Sequence, residues 1–145
     1  QNGSSSSAAL GGYIWPVSSR RITSPFGNRN TGIAGASTNH KGVDIGGVYY
    51  TSQVHAAKAG TVIISTYSSS YGNYVVVSHG SGNTTLYAHM SSRSVSVGDY
   101  VNQGDVLGIT GSTGISSGPH LHFEITENGT RVNPLNYLTG YIQAW

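Results

Sequence analysis

The chain contains no cysteine, which removes two kinds of structure at once. A disulfide framework is impossible, and a bound metal would have to be held by His, Asp or Glu side chains because no thiolate is available. Charged residues are scarce at 8% of the 145 positions, and the formal net charge is only +2. This small basic surplus suits a neutral or anionic polymer but does not indicate a nucleic-acid partner. No stretch is apolar enough to predict a membrane span.

Long helical runs rich in Ala, Leu, Glu and Lys are also missing. The chain uses 21 Gly and 10 Tyr residues together with many Ser residues, a composition typical of strands and turns. Because short apolar runs alternate with Gly-rich turns, we predict an all-β, mainly antiparallel fold. The expected form is a twisted β-sheet or β-sandwich with long loops forming an open groove. The length suits a single compact domain.

The first twelve residues, QNGSSSSAALGG, predict a flexible linker. We therefore expect one ordered domain over residues 13–145. No secretory signal is visible at residue 1, so we expect that a leader has been removed or that the chain is an excised domain.

The segment SSGPHLHFEITENG contains two histidines separated by one leucine. Successive side chains of a strand point to opposite faces. Strand geometry therefore places His120, His122 and Glu124 on one face. The apolar residues between and after them fall on the other face: Leu121, Phe123 and Ile125. This pattern predicts two imidazoles that project together from a strand whose other face packs into the core.

The segment HKGVDIGG repeats this alternation. His40, Gly42 and Asp44 are predicted to share a face, since the glycines of the segment argue against a helix. We interpret Gly42, between the two polar residues, as leaving open space in which a metal could sit.

The segment TTLYAHM predicts a third strand of the same kind. Alternation places Thr85, Tyr87 and His89 on a polar face. The apolar face then consists of Leu86, Ala88 and Met90.

These three strands together offer four histidines and one aspartate. A single histidine is more often a half-exposed surface residue than a ligand, but five placements that agree are hard to explain in that way. Without cysteine, a set of His and Asp suits zinc best, and catalytic zinc sites keep a position for water. Two of the five groups then remain for proton transfer and for stabilising an oxyanion. The spacing alone does not say which groups bind the metal.

Taken in order, the motifs H-x-x-x-D, Y-A-H and G-P-H-L-H-F-E resemble those of the lysostaphin-type zinc metallopeptidases, the bacterial peptidoglycan endopeptidases. Other segments, among them ITSPFGNR, NYVVVSHG and VNPLNYL, also resemble family segments in the family's order. The likeness runs from about Tyr13 to Leu138. An H-x-x-x-D motif alone is weak, but the ordered set is specific.

The resemblance assigns roles to individual residues. It implies His40, Asp44 and His122 as ligands of one zinc ion per chain. It implies His89 and His120 as unligated catalytic histidines that position or deprotonate a water molecule and stabilise the oxyanion.

The resemblance also implies an activity and a place of action. The expected activity is zinc-dependent endopeptidase hydrolysis of peptide bonds in the stem peptides or cross-bridges of cell-wall peptidoglycan. The enzyme is expected to act outside the cytoplasm, as a secreted, cell-wall or periplasmic protein, and as a monomer.

One departure from the family concerns the loop NTGIAGASTN, just before the first expected ligand. Some members that cut glycyl-glycine bonds carry a tyrosine there, and this chain has none, which favours direct stem-peptide cross-links over glycine bridges as the substrate. Tyr49, Tyr50, Tyr67 and Tyr71 remain open as candidates to assist the oxyanion. Glu124 is expected to make a supporting contact or salt bridge rather than to act as the general base.

Two other functions remain open from the sequence. A regulator or wall-binding module without catalysis is known within the family, but such members usually lack one or more ligands, and here all five key positions are filled. A β-sandwich carrier or sugar-binding domain with incidental histidines would contain no stoichiometric zinc.

Overall fold

The computed structural model describes residues 12–28 and 39–145. The expected linker over residues 1–12 therefore lies outside the described residues except for Gly12, and so does almost all of the loop NTGIAGASTN. The strands are β1 (Arg21–Ser24), β2 (Gly27–Asn28), β3 (Asn39–His40), β4 (Val43–Ile45), β5 (Gln53–His55), β6 (Gly60–Ser68), β7 (Gly72–Gly80), β8 (Asn83–Met90), β9 (Ser92–Arg93), β10 (Tyr100–Val101), β11 (Val106–Ile109), β12 (Leu121–Glu127), β13 (Thr130–Val132) and β14 (Ile142–Gln143).

The expected all-β architecture is confirmed. Within the described ranges the only helical element is one 3₁₀ turn, Pro134–Asn136. No helix in the part of the chain that the structure describes has the length and apolar character needed to cross a membrane.

One large twisted sheet carries most of the chain. Its strands follow the order β10-β6-β7-β8-β12-β4-β1-β14, and β13 pairs with β12 beside β4. The pairings are antiparallel apart from β14 with β1, which is parallel. A small sheet, β9-β11-β5, and the short pair β2–β3 complete the described strands.

The main hydrophobic core lies against one face of the large sheet. The residues of β4 and β12 that alternation predicted for the core all lie in it, and none is exposed: Val43, Ile45, Leu121, Phe123 and Ile125. A second, smaller cluster of Val76, Leu86 and Ala88 lies apart from this core. Because Ala88 stands directly opposite His122 in the ladder, this cluster occupies the face that carries the histidines.

Two tight Gly-Asp turns flank β10, one on each side of it. Gly98 and Gly104 have positive φ angles of 96° and 91°. The following Asp99 and Asp105 carboxylates each accept a hydrogen bond from a backbone N–H three residues earlier, at 2.9 and 2.8 Å. Glycine is favoured where φ is positive because it has no Cβ, and the aspartate closes the turn, which explains the repeated Gly-Asp pair.

Candidate metal centre

The candidate metal site forms where β4 and β12 pair. Asp44 of β4 stands directly opposite His122 of β12 in the antiparallel ladder. His40 ends β3, which is fixed by pairing of His40 with Gly27. These three residues form a group that could hold a metal ion.

The three candidate ligand atoms lie at the corners of a small triangle. Nδ1 of His122 is 3.0 Å from Oδ1 of Asp44 and 3.2 Å from Nε2 of His40, and the remaining side measures 3.3 Å. Ligand atoms bound to a tetrahedral zinc ion stand about 3.3–3.4 Å apart, as follows from zinc–ligand bonds of about 2.0–2.1 Å. The donor set and its spacing therefore fit zinc.

The second nitrogen of each candidate ligand histidine is held by an acceptor. Nδ1 of His40 lies 2.9 Å from the carbonyl oxygen of Pro25, and Nε2 of His122 lies 2.8 Å from Oε2 of Glu124. An N–H donated at these positions leaves the opposite nitrogen of each ring free to bind a metal.

Asp44 and His122 stabilise each other's charged forms. Burial raises the pKa of Asp44, but hydrogen bonds from His122 and His40 outweigh it and hold that pKa well below its usual range. Burial lowers the pKa of His122, but the carboxylates of Asp44 and Glu124 raise it to about 9 overall. Without a metal His122 is therefore protonated on both nitrogens near neutral pH, and a metal has to displace the Nδ1 proton.

His120 enters the site from the end of an irregular segment. Its backbone bridges to Gly111, one residue before β12 begins. Nδ1 lies 2.9 Å from the carbonyl oxygen of Gly118, and Nε2 lies 3.6 Å from Oδ1 of Asp44. The carbonyl fixes the proton on Nδ1 and leaves Nε2 as the basic nitrogen beside the candidate metal site.

The side chain of His89 points toward the site because of a strand irregularity that alternation did not predict. Tyr87, expected on its face, is instead buried in the main core, while Ala88 lies opposite His122. The prediction of a shared Thr85–Tyr87–His89 face is therefore wrong. The pairing of β7 with β8 shifts by one residue at this point, and His89 has a φ of 64°. A bulge with a left-handed residue reverses the side-chain direction.

The ring of His89 then lies among the other histidines. Its centroid is 4.8 Å from that of His120 and 6.0 Å from that of His122. Nδ1 lies 2.7 Å from the carbonyl oxygen of Thr113. Burial lowers the pKa of His89 to about 4, so the ring is neutral near pH 7 with Nε2 available as a base.

Gly42 lies against strand β12 and does not leave the open space for a metal that the sequence suggested. A Cβ atom there would meet the Phe123 carbonyl and would lie 2.8 Å from Cγ of Glu124. The glycine therefore makes room for the neighbouring strand β12, and the interpretation as open space for a metal is wrong.

Glu124 makes the supporting contacts expected of it. The residue is 2% exposed, and its carboxylate contacts His122, Tyr71 and Arg131. Hydrogen bonds from His122 and Arg131 outweigh burial, which alone would raise its pKa, and lower the pKa of Glu124 to about 2. Its low pKa and its three hydrogen-bond partners make the carboxylate a poor proton acceptor, which argues against a role as general base.

Among the four candidate tyrosines, Tyr71 lies at the site. Its ring stacks on that of His122, with the centroids 5.8 Å apart and the planes at 27°. Its hydroxyl donates to Glu124 at 2.7 Å, and burial together with that carboxylate raises the pKa of Tyr71 to about 12. Tyr49, Tyr50 and Tyr67 are each more than half exposed.

Arg131 contacts Glu124 at the site but was not predicted from the sequence as a site residue. The turn Asn128–Gly129 sets a hairpin in which Thr126 pairs with Arg131, on the same face as Glu124. An Asn-Gly pair is a strong hairpin signal, so this register was available from the sequence.

Comparison with known proteins identifies the family. The profile of Peptidase family M23 matches residues 38–134. A DD-carboxypeptidase/endopeptidase, Mpg, of Neisseria meningitidis is 42% identical over 127 residues, covering 87% of this chain. The chain spans 29% of the length of that relative.

Two solved structures share the fold. A zinc containing peptidase from Vibrio cholerae superposes with a TM-score of 0.79 at 30% identity, covering 90% of this chain and 41% of that one. The catalytic domain of lysostaphin from Staphylococcus simulans gives a TM-score of 0.68 at 33% identity, covering 79% and 88%. The fold and site thus define a metallopeptidase domain. The chain belongs to peptidase family M23, which confirms the lysostaphin-type assignment made from the motifs.

Proposed function

We propose that residues 13–145 form a zinc-dependent endopeptidase that hydrolyses peptide bonds of bacterial peptidoglycan outside the cytoplasm. The observation that carries this proposal is the triangle of His40 Nε2, Asp44 Oδ1 and His122 Nδ1, whose sides of 3.0–3.3 Å suit one zinc ion. The orientation of the second nitrogen of each ligand histidine supports the same assignment.

When bound, zinc supplies Lewis acidity, which acidifies a water molecule and polarises a carbonyl group. His89 and His120 are the catalytic residues in this proposal. Each directs Nδ1 at a backbone carbonyl, so each presents Nε2 to the site as the nitrogen that can accept a proton. One imidazole can accept the proton of the attacking water and pass it to the leaving amine. The other, once protonated, can stabilise the negative charge that develops on the carbonyl oxygen.

The substrate proposed is a cross-link made directly between stem peptides. A relative with 42% identity carries the name DD-carboxypeptidase/endopeptidase. The tip of the β6–β7 hairpin over residues 65–73 and the segment NTGIAGASTN contain no charged residue, which suits small residues beside the cut bond. The absence of a tyrosine from that segment also favours direct cross-links over glycine bridges.

Digestion of purified walls tests the proposal. Zinc-loaded protein is incubated with walls cross-linked directly through a diamino acid and with walls cross-linked by pentaglycine, and mass spectrometry identifies the new ends. We expect cleavage of the first kind, loss of cleavage with a chelator, and recovery with added zinc.

Three outcomes contradict parts of this proposal. New glycine N-termini from pentaglycine walls alone would overturn the choice of cross-link. Failure on both walls by a zinc-loaded protein would favour a regulator without catalysis. A folded and active protein without bound metal would overturn the zinc centre itself.

A further inference from the structure

The carboxylate of Glu124 is surrounded by donors from three different parts of the chain. Oε2 accepts from the hydroxyl of Tyr71 at 2.7 Å and from Nε2 of His122 at 2.8 Å, while Oε1 accepts from Nε of Arg131 at 2.7 Å. The side chain is only 3% exposed. A buried carboxylate held from both oxygens has one position, because leaving any of these donors would cost a charge-assisted hydrogen bond.

That fixed carboxylate determines the state of His122. An anion next to Nε2 keeps a proton there, so the lone pair of the neutral ring belongs to Nδ1. Nδ1 is the atom that faces Asp44 and His40. If the imidazole ring flipped, or if the neutral ring carried its proton on Nδ1, the Nδ1 lone pair would no longer face Asp44 and His40, and His122 could not complete the candidate metal site.

Glu124 is held in turn by Tyr71 and Arg131. Tyr71 stacks on the His122 ring at 5.8 Å while its hydroxyl contacts the same carboxylate oxygen as Nε2, so it limits both the tilt of the ring and the movement of Glu124. Arg131 reaches Glu124 from β13, on the histidine-bearing face.

We propose that Tyr71, Glu124 and Arg131 form a clamp, the Glu124 clamp, that fixes the tautomer and orientation of His122 and thereby sets the affinity of the site for its metal. The inference rests on the proposed zinc centre. Tyr71 and Arg131 are positioning residues in it: neither is a ligand, and both act through Glu124.

Zinc affinity separates this role from a merely structural one. The Arg131 side chain is 43% exposed, but its partner Glu124 is buried, so loss of the guanidinium should lower folding stability as well. The clamp predicts a loss of zinc affinity in Arg131→Gln in addition to any fall in the thermal stability of the zinc-free protein.

The test compares four variants of the full chain with the wild type. Arg131→Gln removes the guanidinium, Arg131→Lys keeps the charge, and Tyr71→Phe removes the hydroxyl while keeping the ring. Arg21→Gln is the matched control, since Arg21 is an exposed arginine of β1, a strand that pairs with β4 and β14 and not with β12. The zinc dissociation constant is measured by competition with a chromophoric chelator, with thermal unfolding of the zinc-free protein recorded alongside.

We expect Arg131→Gln and Tyr71→Phe to weaken zinc binding by about 10- to 100-fold, the scale seen when partners of metal ligands are removed. Arg131→Lys should recover part of the loss. Arg21→Gln should stay within about twofold of the wild type, as surface substitutions do. In the zinc-loaded protein, the Nε2 proton of His122 should give a slowly exchanging imidazole NMR signal that broadens in Arg131→Gln.

The inference is overturned if the wild type binds zinc and cuts walls while both Arg131→Gln and Tyr71→Phe retain its zinc affinity. It is also overturned if these variants only lower the unfolding temperature. A wild-type protein that binds no zinc would reject the proposed function, and this inference with it.

Discussion

Replacing Gly42 with alanine tests whether this residue makes room for a strand or for a metal. The added Cβ would clash with the backbone carbonyl of Phe123 and would lie 2.8 Å from Cγ of Glu124. Because the first of these atoms is backbone in a fully buried part of β12, the strand itself has to shift. Side chains forced into a packed region cost about 1–3 kcal/mol.

A smaller effect acts in the opposite direction. The backbone of Gly42 does not lie in the left-handed region, so alanine can adopt it. Replacing glycine then stabilises by about 0.4–1 kcal/mol through the unfolded chain. The net expectation for Gly42→Ala is a loss of about 1–2 kcal/mol. For a domain of this size, that corresponds to a fall of about 3–7 °C in Tm.

Thermal unfolding of the zinc-free protein measures this loss. Gly118→Ala is the matched control, because a Cβ there meets nothing within 4 Å and its backbone is not left-handed. The control should unfold at or slightly above the wild-type temperature. The packing argument would be refuted if zinc-free Gly42→Ala were as stable as the wild type and only its metal affinity fell. Such a result would show that Gly42 makes room for the metal and not for β12.

Three other predictions concern the site and its surroundings. Asp44→Ala and His122→Ala should abolish stoichiometric zinc binding, measured by elemental analysis. His89→Ala and His120→Ala should retain zinc but digest walls about 100-fold or more slowly, which is the scale of acid–base and oxyanion contributions. If the zinc-loaded variants digested walls at the wild-type rate, these histidines would have no catalytic role. Burial lowers the pKa of His79 below its usual 6.5, so protonation favours the unfolded chain. The stability that His79 contributes is thus complete above pH 6.5 and declines as the pH falls, and His79→Gln should flatten that part of the stability–pH curve.

Strand β12 was predictable from the sequence because it obeys one rule along its whole length. Leu121, Phe123 and Ile125 are all fully buried in the main core, as their alternation requires. A regular strand with one apolar face has only one register that buries that face. The positions of His122 and Glu124 on the opposite face follow directly.

Strand β8 was not predictable in this way. Both of its faces are buried, since Tyr87 packs in the main core and Leu86 and Ala88 form the smaller cluster. With apolar or aromatic residues on both sides, the sequence does not say which side faces the core. The bulge that redirects His89 depends on pairing with β7, which no local pattern of β8 reveals.

The contacts of Glu124 depend on distant parts of the chain. Tyr71 stands 53 residues away in sequence, and nothing near either residue signals their hydrogen bond. Arg131 is only 7 residues away, across a hairpin whose turn can be recognised. A partner joined through a recognisable turn can therefore be predicted from the sequence more readily than a partner brought close by the packing of the sheet.

The candidate ligands and the proposed catalytic histidines are supported by different kinds of structure. Asp44 and His122 face each other across a strand ladder, which suits a metal because its bond lengths tolerate little variation. His89 and His120 are anchored by the carbonyls of Thr113 and Gly118, in a segment without regular strands. That segment is fixed by close packing, since the backbone at residue 114 lies so near residue 72 that neither position has room for a side chain. Substitutions in the segment that carries Thr113 and Gly118 should therefore disturb the proposed proton transfer while leaving the candidate metal ligands in place.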